Sequence, residues 1–346
     1  SIAIDHLGGT RNPYVMSGTF VFAGTMGLIA VYLLSRVPDV PTAAVKSENI
    51  GNLFSMIVEP ITNRSFLMLL IAIASVAFSM TLTNPFTILY GRAATVGGHN
   101  PGLGATLQYW SVISAIVGFV GIFSGPFWGW LGDRLGPKFI MACGCLALSW
   151  YWLFFIATPH NYHWLLAFGM AVFGWFFPAY NIGWSTCAFN ISPRQNRAAY
   201  LAVIPFAMMA GGPAAMLGGY LADKFSVADF ILPTGIPFAY IHLLTILTTI
   251  GICIAICLIC LIPMPGQKRL RDALPFILDF RFLANIIRAQ ILAHSSNPAL
   301  FVRVLNGLNG KSAQIAIKEI QDKLTDACPD VRKAALNATT RISPNL

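Results

Sequence analysis

The chain has 346 residues, 56% of them hydrophobic and 10% charged, against roughly 25% charged in an ordinary soluble domain. That composition sets aside a water-soluble globular domain. The net charge of +9 gathers in connections and tail, which argues against a nucleic-acid partner.

Seven apolar runs approach or exceed the ~20 residues that carry a helix across a bilayer core: 14–35, 66–90, 107–130, 139–157, 163–190, 199–222 and 237–263. Each is read as a helix, because backbone amides in lipid must bond within their own segment. The expected fold class is an all-α polytopic membrane protein with seven transmembrane helices and an α-helical tail. Residue 1 is serine and no signal peptide precedes the first run, so the sequence is expected to be an excerpt of a longer chain.

After the first run (1–35), residues 36–64 read as a linker. "VPDVPTAAVKSE" is extended, and "NIGNLFSMIVEP" forms a short helix on the membrane surface. The linker divides one leading span from a group of six (65–263). In the second run Thr81, Thr83 and Asn84 precede Pro85, where a kink frees backbone groups. "GGHNPGLG", 97–104, is an outer loop whose glycines lack the strand-to-helix context of a nucleotide site. Gln108, Tyr109 and Trp110 then suit an interfacial aromatic belt.

The third run ends in "GPFWGWLGDRLGPKF", Gly125 to Phe139. Gly129 lets the helix end near a neighbour, and Asp133 and Arg134 open a tight turn. Gly136 permits the reversal and Lys138 starts the next run at the interface. A carboxylate held there faces the positive end of an adjacent helix and pairs with a base. Contacts that form in one conformation and break in another suit a gate.

The fifth run, "AVFGWFFPAYNIGWSTCAFNISP", places Tyr180, Asn181, Trp184 and Ser185 in a wedge of about 140°. Polar groups facing lipid are costly, so the wedge faces a cavity or another helix. Aromatic and amide groups together suit a neutral or amphipathic solute; ordinary interhelical hydrogen bonding is the equal alternative. Pro126, Pro178 and Pro205 predict kinks.

The sixth run echoes the third. Ninety residues on, Gly121, Gly125, Gly129, Asp133 and Arg134 fall on Gly211, Ala215, Gly219, Asp223 and Lys224. The two runs cross in opposite directions, as in the inverted three-helix repeats of secondary transporters. Gly121/Gly125/Gly129 and Gly211/Ala215/Gly219 are also small-residue stripes that allow close helix packing in lipid.

Counting Lys and Arg orients the chain. One set of connections holds Arg36, Lys46, Arg64, Arg134, Lys138, Arg194 and Arg197 with twelve more after 264, and the other holds Arg11, Arg92 and Lys224. The tail and the Asp133 turn are therefore expected on the cytoplasmic side of the plasma (inner) membrane. Cys253, Cys257 and Cys260 share a helix face without a histidine or carboxylate on the lower half of that span, so they read as small apolar residues. His242 is expected to be interfacial. No catalytic set, metal-ligand spacing or cofactor loop is found, and no enzyme, metal or cofactor is expected.

The tail, 264–346, carries six acids and twelve bases. Phe276, Phe280, Leu283, Ile287 and Ile291 form a stripe suited to the membrane surface. "SSNPALFVRVLNGLNG" carries a helix start and a glycine stop. Two more helices follow, with Ala313, Ile317, Ile320 and Leu324 on one face, then Val331, Ala335, Ala338 and Ile342. Asp326, Pro329, Val331, Arg332 and Ala335 resemble a HEAT-like repeat, a family that commonly binds proteins; a capping appendage is the alternative.

The pattern Gly129-x-x-x-Asp133-Arg134-x-Gly136-x-Lys138 resembles the loop of the major facilitator superfamily, written G-x-x-x-D-R/K-x-G-R/K-R/K, with Pro137 replacing one base. The resemblance covers roughly residues 10–265. It implies spans six to twelve of a twelve-helix fold: 1–35 as the last span of a missing N-terminal half, 36–64 as the interdomain linker and 65–263 as the C-terminal half. It further implies alternating access by two rocking halves, with Asp133 and Arg134 as latch residues. The expected function is transport of a small-molecule solute across the lipid bilayer, with Thr81, Asn84, Tyr180, Asn181, Trp184 and Ser185 as substrate contacts. The rival is a non-transporting scaffold or sensor whose tail binds a protein partner. A complete seven-helix receptor is weaker, because such bundles show no inverted echo.

Overall fold

The computed structural model describes residues 13–36, 53–92, 102–225 except 195, 231–232, 237–264, 298–308 and 316–342 except 327, with 284–285, 288–289, 291–292 and 313. The extended linker and four of the five residues of the membrane-surface stripe lie outside these.

Six described helices are long and apolar enough to cross a membrane: α3 (Arg64–Arg92), α4 (Leu107–Leu135), α5 (Pro137–Phe155), α6 (Tyr162–Ile191), the broken pair α7 (Arg197–Met208) and α8 (Gly211–Lys224), and α9 (Tyr240–Leu261). The first predicted run is α1 (Pro13–Ser35), a helix of 23 residues. Val21, Leu28, Val31 and Leu33 on α1 are exposed, so this helix stands outside the core of the six. The short helix expected in the linker is α2 (Leu53–Thr62).

Local chemistry sets the helix ends. Asn63, the first residue of a glycosylation-like Asn-Arg-Ser triplet, caps α3: its Oδ1 accepts from the amides of Ser65 (3.1 Å) and Phe66 (3.3 Å). The Thr106 hydroxyl accepts from the Tyr109 amide at the start of α4. His242, in the first turn of α9, is buried within the protein. Its Nδ1 accepts from the Ala239 amide at 2.9 Å, which leaves Nε2 to donate to the Phe154 carbonyl at 3.1 Å. It thereby caps α9 and ties that helix to the end of α5. The sixth span breaks at Met209–Ala210, beyond Pro205 and just before Pro213, which has no amide to continue the ladder.

The packing divides the six spans into two triplets. α4 and α5 both pack on α6, while α8 and α9 both pack on α3. Counted along the chain, as α3–α5 and α6–α9, the leading helix of each set thus receives the second and third spans of the other, the relation expected of inverted repeats. Side-chain geometry repeats it. A Cβ at Gly121 would lie 3.7 Å from Pro178 and 3.8 Å from the Gly174 carbonyl; one at Gly211 would meet Thr81 Cβ at 3.2 Å and the Ala77 carbonyl at 3.5 Å. Gly121 and Gly211 differ by 90, and both pairs of partners differ by 97.

The face in contact is one step round from the predicted stripe. Ser124, Trp128, Ala214 and Gly218 are buried, whereas Gly125 and Gly129 have open space where a Cβ would stand. At 3.6 residues per turn, positions i, i+3 and i+7 stay within about 60° of one another, while i, i+4 and i+8 drift by about 40° at each step, to about 80°. Two hydrogen bonds fix this face of α4: the Ser124 hydroxyl donates to the Gly174 carbonyl (3.2 Å), and Trp128 Nε1 donates to the Trp175 carbonyl (2.7 Å).

The tail has its own core. Helices α10 (Pro298–Gly307) and α11 (Ile317–Lys323) pack on α12 (Pro329–Ile342). Of the predicted faces, Ala313, Ile320, Val331, Ala335 and Ala338 are buried and Ile317, Leu324 and Ile342 half-buried; Leu305 of α10 is buried with them. Asp326 shapes the turn into α12: its Oδ1 accepts from the Cys328 amide, and Arg332 donates to its carbonyl.

Candidate functional site

Two constellations stand out, the turn between α4 and α5 and the polar wedge of α6. At the turn, Gly136 adopts φ +93°, a conformation that penalises any side chain. A Cβ on Gly132 would come within 2.7 Å of Ile140, so the small residue lets α5 fold back against the end of α4. Asp133 is exposed. Arg134 reaches the tail and forms a two-pronged ion pair with Glu319, Nη1 to Oε2 at 2.6 Å and Nη2 to Oε1. Its guanidinium also lies 4.3 Å from the centre of the Trp130 ring. Lys138 donates to the carbonyl of Ile262, the residue that ends α9. A cation there suits the negative end of a helix.

On α6 the predicted residues separate. Asn181 and Trp184 come together, Trp184 Nε1 donating to Asn181 Oδ1 at 3.2 Å. The Ser185 hydroxyl donates to the Ile182 carbonyl within its own helix. Tyr180 is buried against α5, where a Cβ added to Gly144 would lie 2.4 Å from Tyr180 Cα. Its ring continues a ladder with Phe173 and Phe177, at centroid spacings of 4.9 and 6.4 Å. On α3, Thr81 packs against Gly211, whereas Asn84 is exposed. Asn84 and Asn181 are themselves 97 apart, the offset set by the glycine contacts, so the two amides occupy equivalent turns of the two leading helices.

Several structural partners carried no sequence signal of their own. Thr83 donates to the Leu244 carbonyl (3.1 Å) and meets the Thr248 hydroxyl at 2.6 Å, while Thr248 reaches the Ser79 carbonyl. A threonine in an apolar run does not reveal its partner helix. Glu59 on α2 accepts from Asn196 at 2.7 Å and joins the linker helix to the start of α7. Glu319 was one of six tail acids until the fold placed it on Arg134. Two grooves, of about 470 and 430 Å³, run beside α9 and are lined almost wholly by apolar residues. Neither of these two grooves is lined by the wedge residues.

The family model for the Major Facilitator Superfamily matches residues 1–213 and 98–285. Over 174 residues the chain is 31% identical to a "Multi-drug resistance efflux pump PmrA homolog" of Lactococcus lactis subsp. lactis (strain IL1403), which covers 49% of this chain and 40% of that protein. Over 165 residues it is 28% identical to "Multidrug resistance protein MdtG" of Dickeya zeae (strain Ech586), covering 46% of this chain and 37% of that protein. The chain thus matches less than half the length of these relatives. No solved structure matches it.

Proposed function

The chain belongs to the Major Facilitator Superfamily, and from that premise we propose that it supplies spans six to twelve of a carrier that moves a small organic solute by alternating access. The observation that carries this reading is the two-fold packing of α3 and α6, with Asn84 and Asn181 at equivalent turns. A carrier built from inverted repeats holds its cargo near the bilayer midplane, at the interface between repeats. Asn84, Asn181 and Trp184 form this half's share of that site, with Thr81, Tyr180 and Ser185 behind them. Amides beside an indole suit amphipathic aromatic cargo, through stacking and hydrogen bonding. One relative is named as a multi-drug resistance efflux pump and the other as a multidrug resistance protein, which supports export as the direction.

The test is efflux of a fluorescent aromatic cation from pump-deficient cells that express the complete protein. Expression should lower dye accumulation at least threefold, and Asn181→Ala and Trp184→Ala should each abolish most of that difference. Equal accumulation with and without the protein, across several dyes, would sink the transport reading. The folded tail favours a scaffold as the second reading. It predicts partner capture by the tail with no solute movement by the bundle.

A further inference from the structure

The tail reaches the bundle at a place that solute binding does not require. α11 presents Glu319 to Arg134, and only 8% and 15% of the two side chains remain exposed. Trp130 packs against both the bundle and the tail core while its ring lies under the Arg134 guanidinium. A few residues on, Lys138 holds Ile262, where the chain leaves α9 for the tail. The turn is therefore gripped on one side at the root of the tail and on the other by its folded helices.

We propose that Glu319 is a built-in latch: the tail holds the α4–α5 turn closed through Arg134, and this end of the bundle opens when the ion pair is released. The proposal rests on the transport reading in that it takes the turn to move during a transport cycle. Three features distinguish a latch from plain packing. A forked carboxylate–guanidinium pair is directional and loses both bonds over a small displacement. Asp133, next in sequence and exposed, offers the released guanidinium another carboxylate. The Trp130 face keeps a cation in place while partners exchange. The echo of this turn, Asp223 and Lys224, lies at the other end of the bundle with both residues exposed, and among the described residues of the tail the ion pair to the bundle is made at the Arg134 end.

Hydrogen exchange on the complete protein in lipid nanodiscs tests the latch directly. Glu319→Gln should speed exchange of the amides at 132–140 at least tenfold and leave the middle of α9 unchanged. The double exchange Arg134→Glu with Glu319→Arg should return the turn to within threefold of the starting protein. Glu319→Asp, one methylene shorter, is the milder variant should Glu319→Gln fail to fold. Unchanged exchange at the turn in the single variants overturns the latch, as does a double variant no better protected than the single ones. Dye efflux by Glu319→Gln should differ at least threefold from the starting protein; an equal rate beside a faster-exchanging turn reduces the contact to static packing and overturns the proposal. Absence of efflux from the starting protein sinks the transport reading, and the exchange comparison then decides the latch by itself.

Discussion

The stretches 121–134 and 211–224 carry the same pattern of small residues followed by an acid and a base, and they fold to the same task over most of their length. Each lays its first glycine against the middle of the opposite leading helix, Gly121 on Gly174–Pro178 and Gly211 on Ala77–Thr81. They part company at the seventh residue after that glycine. Trp128 is buried there and donates to the Trp175 carbonyl, whereas in the other stretch the position is Gly218, with the Leu82 carbonyl 2.6 Å from where a Cβ would stand. They part again at the end: Arg134 is clamped by the tail, and Lys224 is exposed with its ammonium 6.0 Å from the Tyr220 ring. A repeated sequence thus fixes where two helices meet. The residue between them sets how closely, and a separate element decides whether the end is held.

The sharpest way to break the likeness is Gly218→Leu. The added side chain meets backbone as well as the Phe86 ring at 2.5 Å, so α8 has to move away from α3 rather than repack. A cost of about 3 kcal/mol or more is expected, since overpacking typically costs 1–3 kcal/mol even where neighbours can adjust. Unfolding in mixed detergent micelles would measure it, and an unshifted transition would mean that α8 does not lie this close to α3.

Glu319→Gln comes next. Removing one partner of a mostly buried pair leaves the other charge uncompensated, which typically costs 3–5 kcal/mol in a dry interior. Here 15% of the Arg134 side chain stays exposed and Trp130 still covers it, so about 1–2 kcal/mol is expected. Lys224→Gln at the opposite end should change stability by less than about 0.5 kcal/mol. Equal losses from the two changes would remove the distinction between a held end and a free-standing one. Trp128→Phe keeps the ring and discards the donor to Trp175. A loss of about 1 kcal/mol is expected, the size of interhelical hydrogen bonds in membrane bundles, and the same unfolding transition would read it.

What the sequence disclosed follows from which forces are local. Apolar runs of spanning length announce α3 to α9 because lipid forces each run to satisfy its own backbone. The 90-residue echo disclosed the inverted arrangement, since Gly121 and Gly211 had to serve equivalent contacts. The contact face escaped by one step, because a stripe of glycines does not say which of its members meets a neighbour. Ser124 and Trp128 decide that through carbonyls of α6, far away in the sequence. The substrate wedge was legible in part. Asn181 and Trp184 do meet, but Tyr180 turns to α5, because Gly144 opens room for it there. Neither Glu319 nor His242 could be assigned from composition, as each acquires its role from a partner more than 80 residues away.

The smallest expected effect is the one that best separates packing from function. Gly125 and Gly129 lie on the predicted stripe yet have open space where a Cβ would stand. Gly125→Ala should therefore leave the unfolding of this chain within about 0.5 kcal/mol of the starting protein, and replacing glycine within a helix by alanine works in its favour. If the open face of α4 meets the other half of the complete carrier, the same alanine should still slow dye efflux there, because a sliding contact tolerates less bulk than an empty surface does. Unchanged stability with reduced efflux would assign the open glycines to movement between halves. A loss of stability in this chain alone would mean that the stripe, and not the Ser124–Trp128 face, holds α4 to α6.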